Sequence, residues 1–274
     1  MNYKGKKVAI TGADGFIGSA LKARLEQMYD DDITIIELDG DIRDRRTFDR
    51  LDYSFDYLFH FAAPSSQVQF KRQPSYCIQT TLTGFMNAAT AAKRHGIRFV
   101  YPSTGLLSMG DTNEYARCKA LCEDYARGKN MDAIGLRIFA TYGPGEGHKR
   151  DYASVPYLFA RDVVKGNNPL VFGDGEQVRD FIYIDDVVEA ILILAEECSD
   201  PVIDIGSGEQ TSFNRICELL AAANGSTVQP LYKEAPNGYV KETAADPKRL
   251  HEFYRPVVTL ERGIRELIKT LKEN

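Results

Sequence analysis

A tyrosine and a lysine four residues apart can make a proton-transfer pair, because positions i and i+4 share one face of a helix and the ammonium can act on the phenol. The chain offers that spacing three times, at Tyr3 and Lys7, at Tyr115 and Lys119, and at Tyr125 and Lys129. With 15 tyrosines in 274 residues the spacing arises by accident, so neighbourhood must choose among the three. Tyr115 follows closely on "RFVYPST", a strand-like run that ends in Ser103 and Thr104. The carboxyl edge of a parallel sheet is where open α/β folds bind ligands. Tyr125 stands nearly three helical turns farther from that edge, and Tyr3 precedes the first strand. Tyr115 and Lys119, with the Thr104 hydroxyl, are therefore the candidates for chemistry. A phenol with an ordinary pKa of ~10 needs a nearby positive charge before it can serve as a base at neutral pH.

A second constellation is "TGADGFIG", Thr11 to Gly18, which closes one strand and opens a helix with glycines at Gly12, Gly15 and Gly18. Glycines at those places allow a tight turn, close approach to a pyrophosphate and close helix–sheet packing, while the helix start at Phe16 and Ile17 supplies amide donors to the anion. The next strand ends in "ELDGDIRD", where Asp39 can accept hydrogen bonds from the ribose hydroxyls of an adenosine; Glu37 is the rival for that role. An acid there favours NAD over NADP, since it repels a 2′-phosphate.

The elements that must position these groups alternate. Short apolar runs ("KVAITG", "ITIIELD", "YLFHFAA", "RFVYPST", "AIGLRIFATYG") are separated by helical patterns ("SALKARLEQM", "TGFMNAATAAKRHG", "NEYARCKALCEDYARG"). That rhythm predicts an α/β domain with a doubly wound parallel sheet covered on both faces. Beyond "YGPGEGHKRDYASV" the rhythm changes, and a smaller, mostly helical C-terminal lobe is expected. The expected division is 1–145 with 179–205 for the main domain, and 146–178 with 206–274 for the lobe. The 43% hydrophobic content supplies a sizeable core, and a net charge of −5 without a basic stripe argues against nucleic acid. Five cysteines without C-x-x-C pairs argue against a disulfide framework or a zinc ribbon and point to a reducing cytoplasm. Cys118 and Cys122 read as apolar packing, not a metal site. The N-terminus reaches a strand at once, leaving no room for a signal peptide, and no apolar run approaches the ~20 residues of a membrane span.

Taken together, "TGADGFIG", "GDIRD", "HFAAPSS", "TGFMNAATAA", "RFVYPST", "YARCK", "LRIFATYGPGE", "VFGDGEQVRDFIYIDDVVEA" and "IDIGSGE" resemble the extended short-chain dehydrogenase/reductase family, in its NAD-dependent epimerase/dehydratase group acting on nucleotide sugars. The resemblance implies a Rossmann-type domain with NAD as cofactor and a nucleotide-sugar substrate. It implies Asp39 on the adenosine ribose, Asp41 and Ile42 beside the adenine, and Ala62 and Ala63 along the pyrophosphate. Tyr115 and Lys119 would stand at the nicotinamide, with Thr104 bonded to the reacting sugar oxygen. Arg179 of "VRDF" would grip the nucleotide diphosphate, and Phe172 of "NNPLVFGDGEQ" would wall the base. Pairing through the Tyr115 helix and the helix from Thr83 to His95 would make a homodimer.

The departures from the family pattern are specific. After Thr104 the chain reads "GLLSMG", where the sugar 4,6-dehydratases carry an Asp-Glu pair and the decarboxylases a Glu; Gly105 and Leu106 cannot replace them. What remains is chemistry that needs only Thr, Tyr and Lys: 4-epimerisation through a 4-keto sugar, or reduction of a 4-keto sugar. A non-catalytic dinucleotide sensor is disfavoured, because it would not need Thr104, Tyr115 and Lys119 together. Thr81 stands where the family has Asn, and Ala140 where an Asn precedes Tyr-Gly-Pro. A second diphosphate arginine is missing from "APNGYVKETAAD", so His148, Lys149 or Arg150 are candidate substitutes.

Overall fold

The computed structural model describes residues 1–236 and 239–273; the segment "APNGYVKETAAD" thus has residues 237 and 238 outside the described part. The chain runs β1 (Lys7–Thr11), α1 (Phe16–Tyr29), β2 (Thr34–Glu37), β3 (Tyr57–His60), α2 (Gln67–Arg72), α3 (Pro74–His95), β4 (Arg98–Thr104), α4 (Glu114–Gly128) and β5 (Ala133–Ile138). It continues as β6 (Ala140–Tyr142), α5 (Val155–Val164), β7 (Leu170–Phe172), β8 (Val178–Tyr183), α6 (Ile184–Glu197), β9 (Val202–Ile205), β10 (Gln210–Ser212), α7 (Phe213–Asn224), β11 (Leu231–Lys233) and α8 (Leu260–Glu273).

Two compact units result. The first comprises Met1–Ile138 and Val188–Asp204. Its six-stranded sheet has the order β2-β1-β3-β4-β5-β9, and the pairs β1–β2, β1–β3, β3–β4 and β4–β5 are parallel. The central strands are buried on both faces, with Val8, Ala9, Ile10, Leu58, Phe59, Phe99 and Val100 fully inaccessible, which is why they read as unbroken apolar runs. Phe85 of α3 anchors an aromatic cluster, with its ring 4.9 Å from Tyr101 and 5.4 Å from Phe99. Ala88, Ala89 and Ala92 let α3 lie close to the sheet. The helix is longer than the span from Thr83: it begins at Pro74, where a missing amide proton costs nothing, and ends at Gly96 in the left-handed conformation.

The second unit comprises Phe139–Val187 and Ile205–Asn274. It sets a three-stranded sheet β10-β8-β6 and a two-stranded sheet β11-β7 of short strands beside the longer helices α5, α7 and α8. The segment 179–183 is β8 of this unit, not part of the main domain as the expected 179–205 span has it; the first unit resumes at Val188, within α6, and its sheet is rejoined at β9. The apolar "FIY" run suits a large parallel sheet by composition, yet its partners are β10, antiparallel, and β6, parallel. Buried Asp180 holds the turns of this unit by accepting from the amides of Ser207, Gly208 and Ala245 at 2.7, 2.9 and 3.1 Å. No described helix is long and apolar enough to cross a membrane.

Candidate active site

Asn113 caps α4, its side-chain oxygen accepting from the Ala116 amide at 2.9 Å, and so starts the helix just ahead of Tyr115. Tyr115 and Lys119 are both buried on the face turned to β4. The side chain of Thr104, the last residue of β4, accepts from the Leu106 amide at 3.3 Å and acts on the Tyr115 phenol, pulling its pKa down. Lys119 donates its ammonium to the Pro102 carbonyl at 2.9 Å, and its nitrogen lies 6.0 Å from the centre of the Tyr115 ring. Burial pushes the Tyr115 phenol up to about 12, against a smaller downward pull from the Thr104 side chain. Burial also pushes the Lys119 ammonium below its ordinary value, with Cys122, Cys118 and Glu123 opposing. Thr104 is therefore the group that already acts on the phenol; Lys119 is occupied by Pro102.

The other two Tyr–Lys pairs stand elsewhere. Tyr3 is fully buried and donates to the Leu192 carbonyl at 2.8 Å. Tyr125 has its hydroxyl 3.3 Å from that of Thr90 and its ring 5.6 Å from the Lys129 nitrogen, at the far end of α4.

Gly12 has φ +70°, and a Cβ there would stand 2.7 Å from the Ala62 nitrogen and 2.8 Å from the Phe61 carbonyl carbon. A Cβ on Gly18 would strike the Gly12 carbonyl oxygen. The first turn of α1, with Phe16 buried and Ile17 half-buried, has Gly15 at its cap, no side-chain cap hydrogen bond and no acidic residue, and the positive end of a helix dipole there favours an anion. Thr11 accepts from the Ala62 amide at 3.3 Å and meets His60 Nδ1 at 2.8 Å, tying the ends of β1 and β3 together. Asp41, Ile42, Ala62 and Ala63 come together with Gly40, Arg43, Gln69, Tyr76 and Thr80 around a cleft of about 520 Å³. Its wall includes the Thr80 hydroxyl, which is buried and has no hydrogen-bond partner. A glycine cradle, an uncapped helix start and an orphaned hydroxyl fit a dinucleotide. Glu37 is engaged by Lys22 at 2.5 Å, while Asp39 is exposed past the end of β2. The Asp41 carboxylate is held by Arg43, which keeps it down to about 2, so its side chain faces its own loop.

In the second unit, the Arg179 guanidinium lies 5.4 Å from the Phe213 ring and 5.8 Å from the Tyr239 ring and donates to the Val178 and Val240 carbonyls at 2.7 and 2.5 Å. Phe172 is half-buried, 5.9 Å from Tyr239, an aromatic the sequence reasoning passed over. Ala140, in β6, offers no polar group. His148 is exposed, its Nδ1 3.0 Å from the Gly145 carbonyl. Lys149 pairs at 3.1 Å with Glu146, which is fully buried, so it is a structural ion. All five cysteines are buried and outside any disulfide, and no described cluster of His, Cys, Asp and Glu could hold a metal.

The model of the NAD dependent epimerase/dehydratase family matches residues 8–206. A putative UDP-glucose 4-epimerase of Methanocaldococcus jannaschii is 25% identical, over 97% of this chain and 99% of its own. A UDP-N-acetyl-alpha-D-glucosaminuronate decarboxylase of Bacillus cytotoxicus is 27% identical, over 98% of each chain. Among solved structures, the UDP-glucose 4-epimerase of Thermotoga maritima with UDP-glucose superposes with a TM-score of 0.87 at 26% identity, covering 97% of this chain and 99% of that one.

Proposed function

The chain belongs to the NAD-dependent epimerase/dehydratase family, and from that premise we propose that it is a nucleotide-sugar 4-epimerase acting on an NDP-hexose, most plainly a UDP-linked one. The observation that carries this reading is the set Thr104, Tyr115 and Lys119 at the end of β4, followed by Gly105 and Leu106 where an acid would be needed for elimination or decarboxylation. It separates this chain's reading from that of the decarboxylase relative.

NAD, when bound, supplies a hydride acceptor and donor and a positive charge in its oxidised form. Gly12, Gly15 and the first turn of α1 would hold its pyrophosphate, Ala62 and Ala63 would line it, and Asp39 would accept from the adenosine ribose. Tyr115 takes the proton from the sugar C4 hydroxyl as C4 becomes a ketone, and returns it when the sugar is reduced from the other face. Thr104 bonds the same oxygen and fixes its line of approach. Lys119 would turn from Pro102 to the nicotinamide ribose. One positive charge nearby lowers a phenol by about 1–3 units, the direction needed against the burial that holds Tyr115 at about 12. Arg179 is assigned to the diphosphate, with Phe172 and Tyr239 as the aromatic wall for the base. Exposed Met86 of α3 and Leu121 of α4, at 40% and 55%, are assigned to a homodimer contact.

A reductase of NDP-4-keto-6-deoxysugars would use the same three residues and be equally free of the missing acid. Proton NMR of the protein with UDP-, dTDP-, GDP- and ADP-sugars, NAD present, separates the two. A stereoisomer formed without net redox supports the epimerase; no conversion in that panel, with NADH consumed on a 4-keto sugar, overturns it in favour of the reductase.

A further inference from the structure

Three consecutive residues of β4 each act on a different turn of α4. Pro102 accepts from Lys119 at 2.9 Å, Ser103 donates to Glu123 Oε1 at 2.5 Å, and the Thr104 side chain pulls down the pKa of the Tyr115 phenol. Tyr115, Lys119 and Glu123 recur every fourth residue, so they lie along one face of the helix. Only the first two have a role in the chemistry above. Glu123 is a carboxylate with 3% exposure, and burying a charge demands a partner. Its partner is Arg137 of β5, which donates Nε to Oε1 at 2.9 Å and Nη2 to Oε2 at 2.7 Å, a bidentate fork. Arg137 pairs in register with Ser103 across β4 and β5. Its remaining nitrogen donates to Ser108, just past Thr104, at 3.3 Å, and Ser108 donates to Asp204 of β9 at 2.7 Å.

A buried ion pair is a poor device for stability alone, because an apolar pair of similar volume serves as well or better. What it adds is direction. The remaining buried face of α4 is made of Ala116, Cys118, Cys122 and Ala126, small side chains that let a helix slide or turn on a sheet. Catalytic groups must be held to within about 0.5 Å, and a displacement of about 1 Å costs on the order of 10²-fold in rate. Two short fixed contacts from Glu123, one to each of two neighbouring strands, remove both freedoms.

We propose that Glu123 is a positioning residue: through Ser103 and Arg137 it sets the register of α4 on β4 and thereby the contact of the Tyr115 phenol with Thr104. This rests on the reading of Tyr115 and Thr104 as the reacting pair, so its test has an arm that needs no substrate. Protein labelled with ¹³C on the tyrosine ring is examined by NMR, the Tyr115 signal being identified by its loss in Tyr115→Phe. In Glu123→Ala the Tyr115 signal moves, while NAD affinity stays within about twofold of wild type, because the glycine loop and α1 are untouched. On whichever nucleotide sugar the wild type turns over, kcat falls on the order of 10²-fold with KM little changed. Glu123→Gln, whose amide oxygen still accepts from Ser103, recovers most of that loss. Ser103→Ala, which deletes one hydroxyl and endangers folding least, moves the Tyr115 signal and lowers kcat by about tenfold. It decides the matter alone if Glu123→Ala does not fold. An unmoved Tyr115 signal with wild-type kcat per folded molecule overturns the proposal, as does a loss confined to melting temperature. A wild type silent toward every nucleotide sugar, with the Tyr115 signal still dependent on Glu123, counts against the epimerase reading and supports the positioning role.

Discussion

Replacing Gly12 by alanine tests the cofactor cradle with a magnitude that can be set in advance. Two costs add. The backbone at φ +70° holds an L-residue in the left-handed region, at about 1–2 kcal/mol. The new Cβ would also stand 2.7–2.9 Å from the Ala62 nitrogen, the Phe61 carbonyl carbon and the Ala62 Cα. These are backbone atoms just past the end of β3, with no rotamer to yield, and overpacking of this kind costs about 1–3 kcal/mol. The expected loss is about 2–5 kcal/mol by urea titration. Gly96→Ala is the paired control, since Gly96 has φ +65° with nothing within 4 Å of the added Cβ; it carries only the conformational cost. The difference between the two variants, about 1–3 kcal/mol, is then the contact with β3. Whatever relaxation permits folding pushes the loop off the chain it cradles, so NAD affinity measured by calorimetry falls about tenfold or more in Gly12→Ala, a loss of at least about 1.4 kcal/mol. It is unchanged in Gly96→Ala. Equal destabilisation by the two substitutions, with NAD binding intact in both, would refute the close approach of Gly12 to Ala62 as the basis of the cradle.

Tyr115→Phe should lower kcat by about 10²–10⁴-fold with NAD affinity preserved, while Tyr125→Phe leaves turnover near wild type; equal losses at equal stability sink the assignment. Arg179→Met should raise KM for the nucleotide sugar and leave kcat largely alone, the mark of an interaction equal in ground and transition states, measured by initial rates. His60 is held down to about 3, chiefly by burial and secondarily by the Lys119 charge. The unfolded chain therefore takes up a proton near pH ~6.5 that the folded chain refuses, and stability falls as pH drops below that value. The expected slope is about 1.4 kcal/mol per pH unit between ~6.5 and ~3. Urea midpoints at pH 7 and pH 5.5 should diverge accordingly, and His60→Gln should flatten the difference.

Much of the first unit is legible in the chain. The apolar runs of β1, β3 and β4 are long because both faces of a parallel sheet are covered, and the helix over 114–128 falls within the helical pattern "NEYARCKALCEDYARG". The choice of Tyr115 over Tyr125 also followed from place in the chain, since only one stands near a strand end. The second unit was less legible. Its strands have three to six residues, too short for alternation to separate them from loops, and β8 took partners that its composition does not announce. Lys149 looked like a spare cation and is spent on Glu146, a pairing that spacing alone leaves open. Glu123 carried a signal that could have been read, the third step of a four-residue repeat, but its burial could not.

The sequence by itself determined the residue types that can do this chemistry, the glycines that can take a cofactor's backbone approach, and the absence of an acid after Thr104. These are local properties, encoded within a few neighbouring positions. Tertiary structure alone decided which hydroxyl acts on the Tyr115 phenol, that Lys119 is held by Pro102, and that Ser103, Glu123 and Arg137 bind one helix to two strands. Those facts depend on distances between separate elements, β4, α4 and β5, set by how a helix with small buried side chains comes to rest on a sheet.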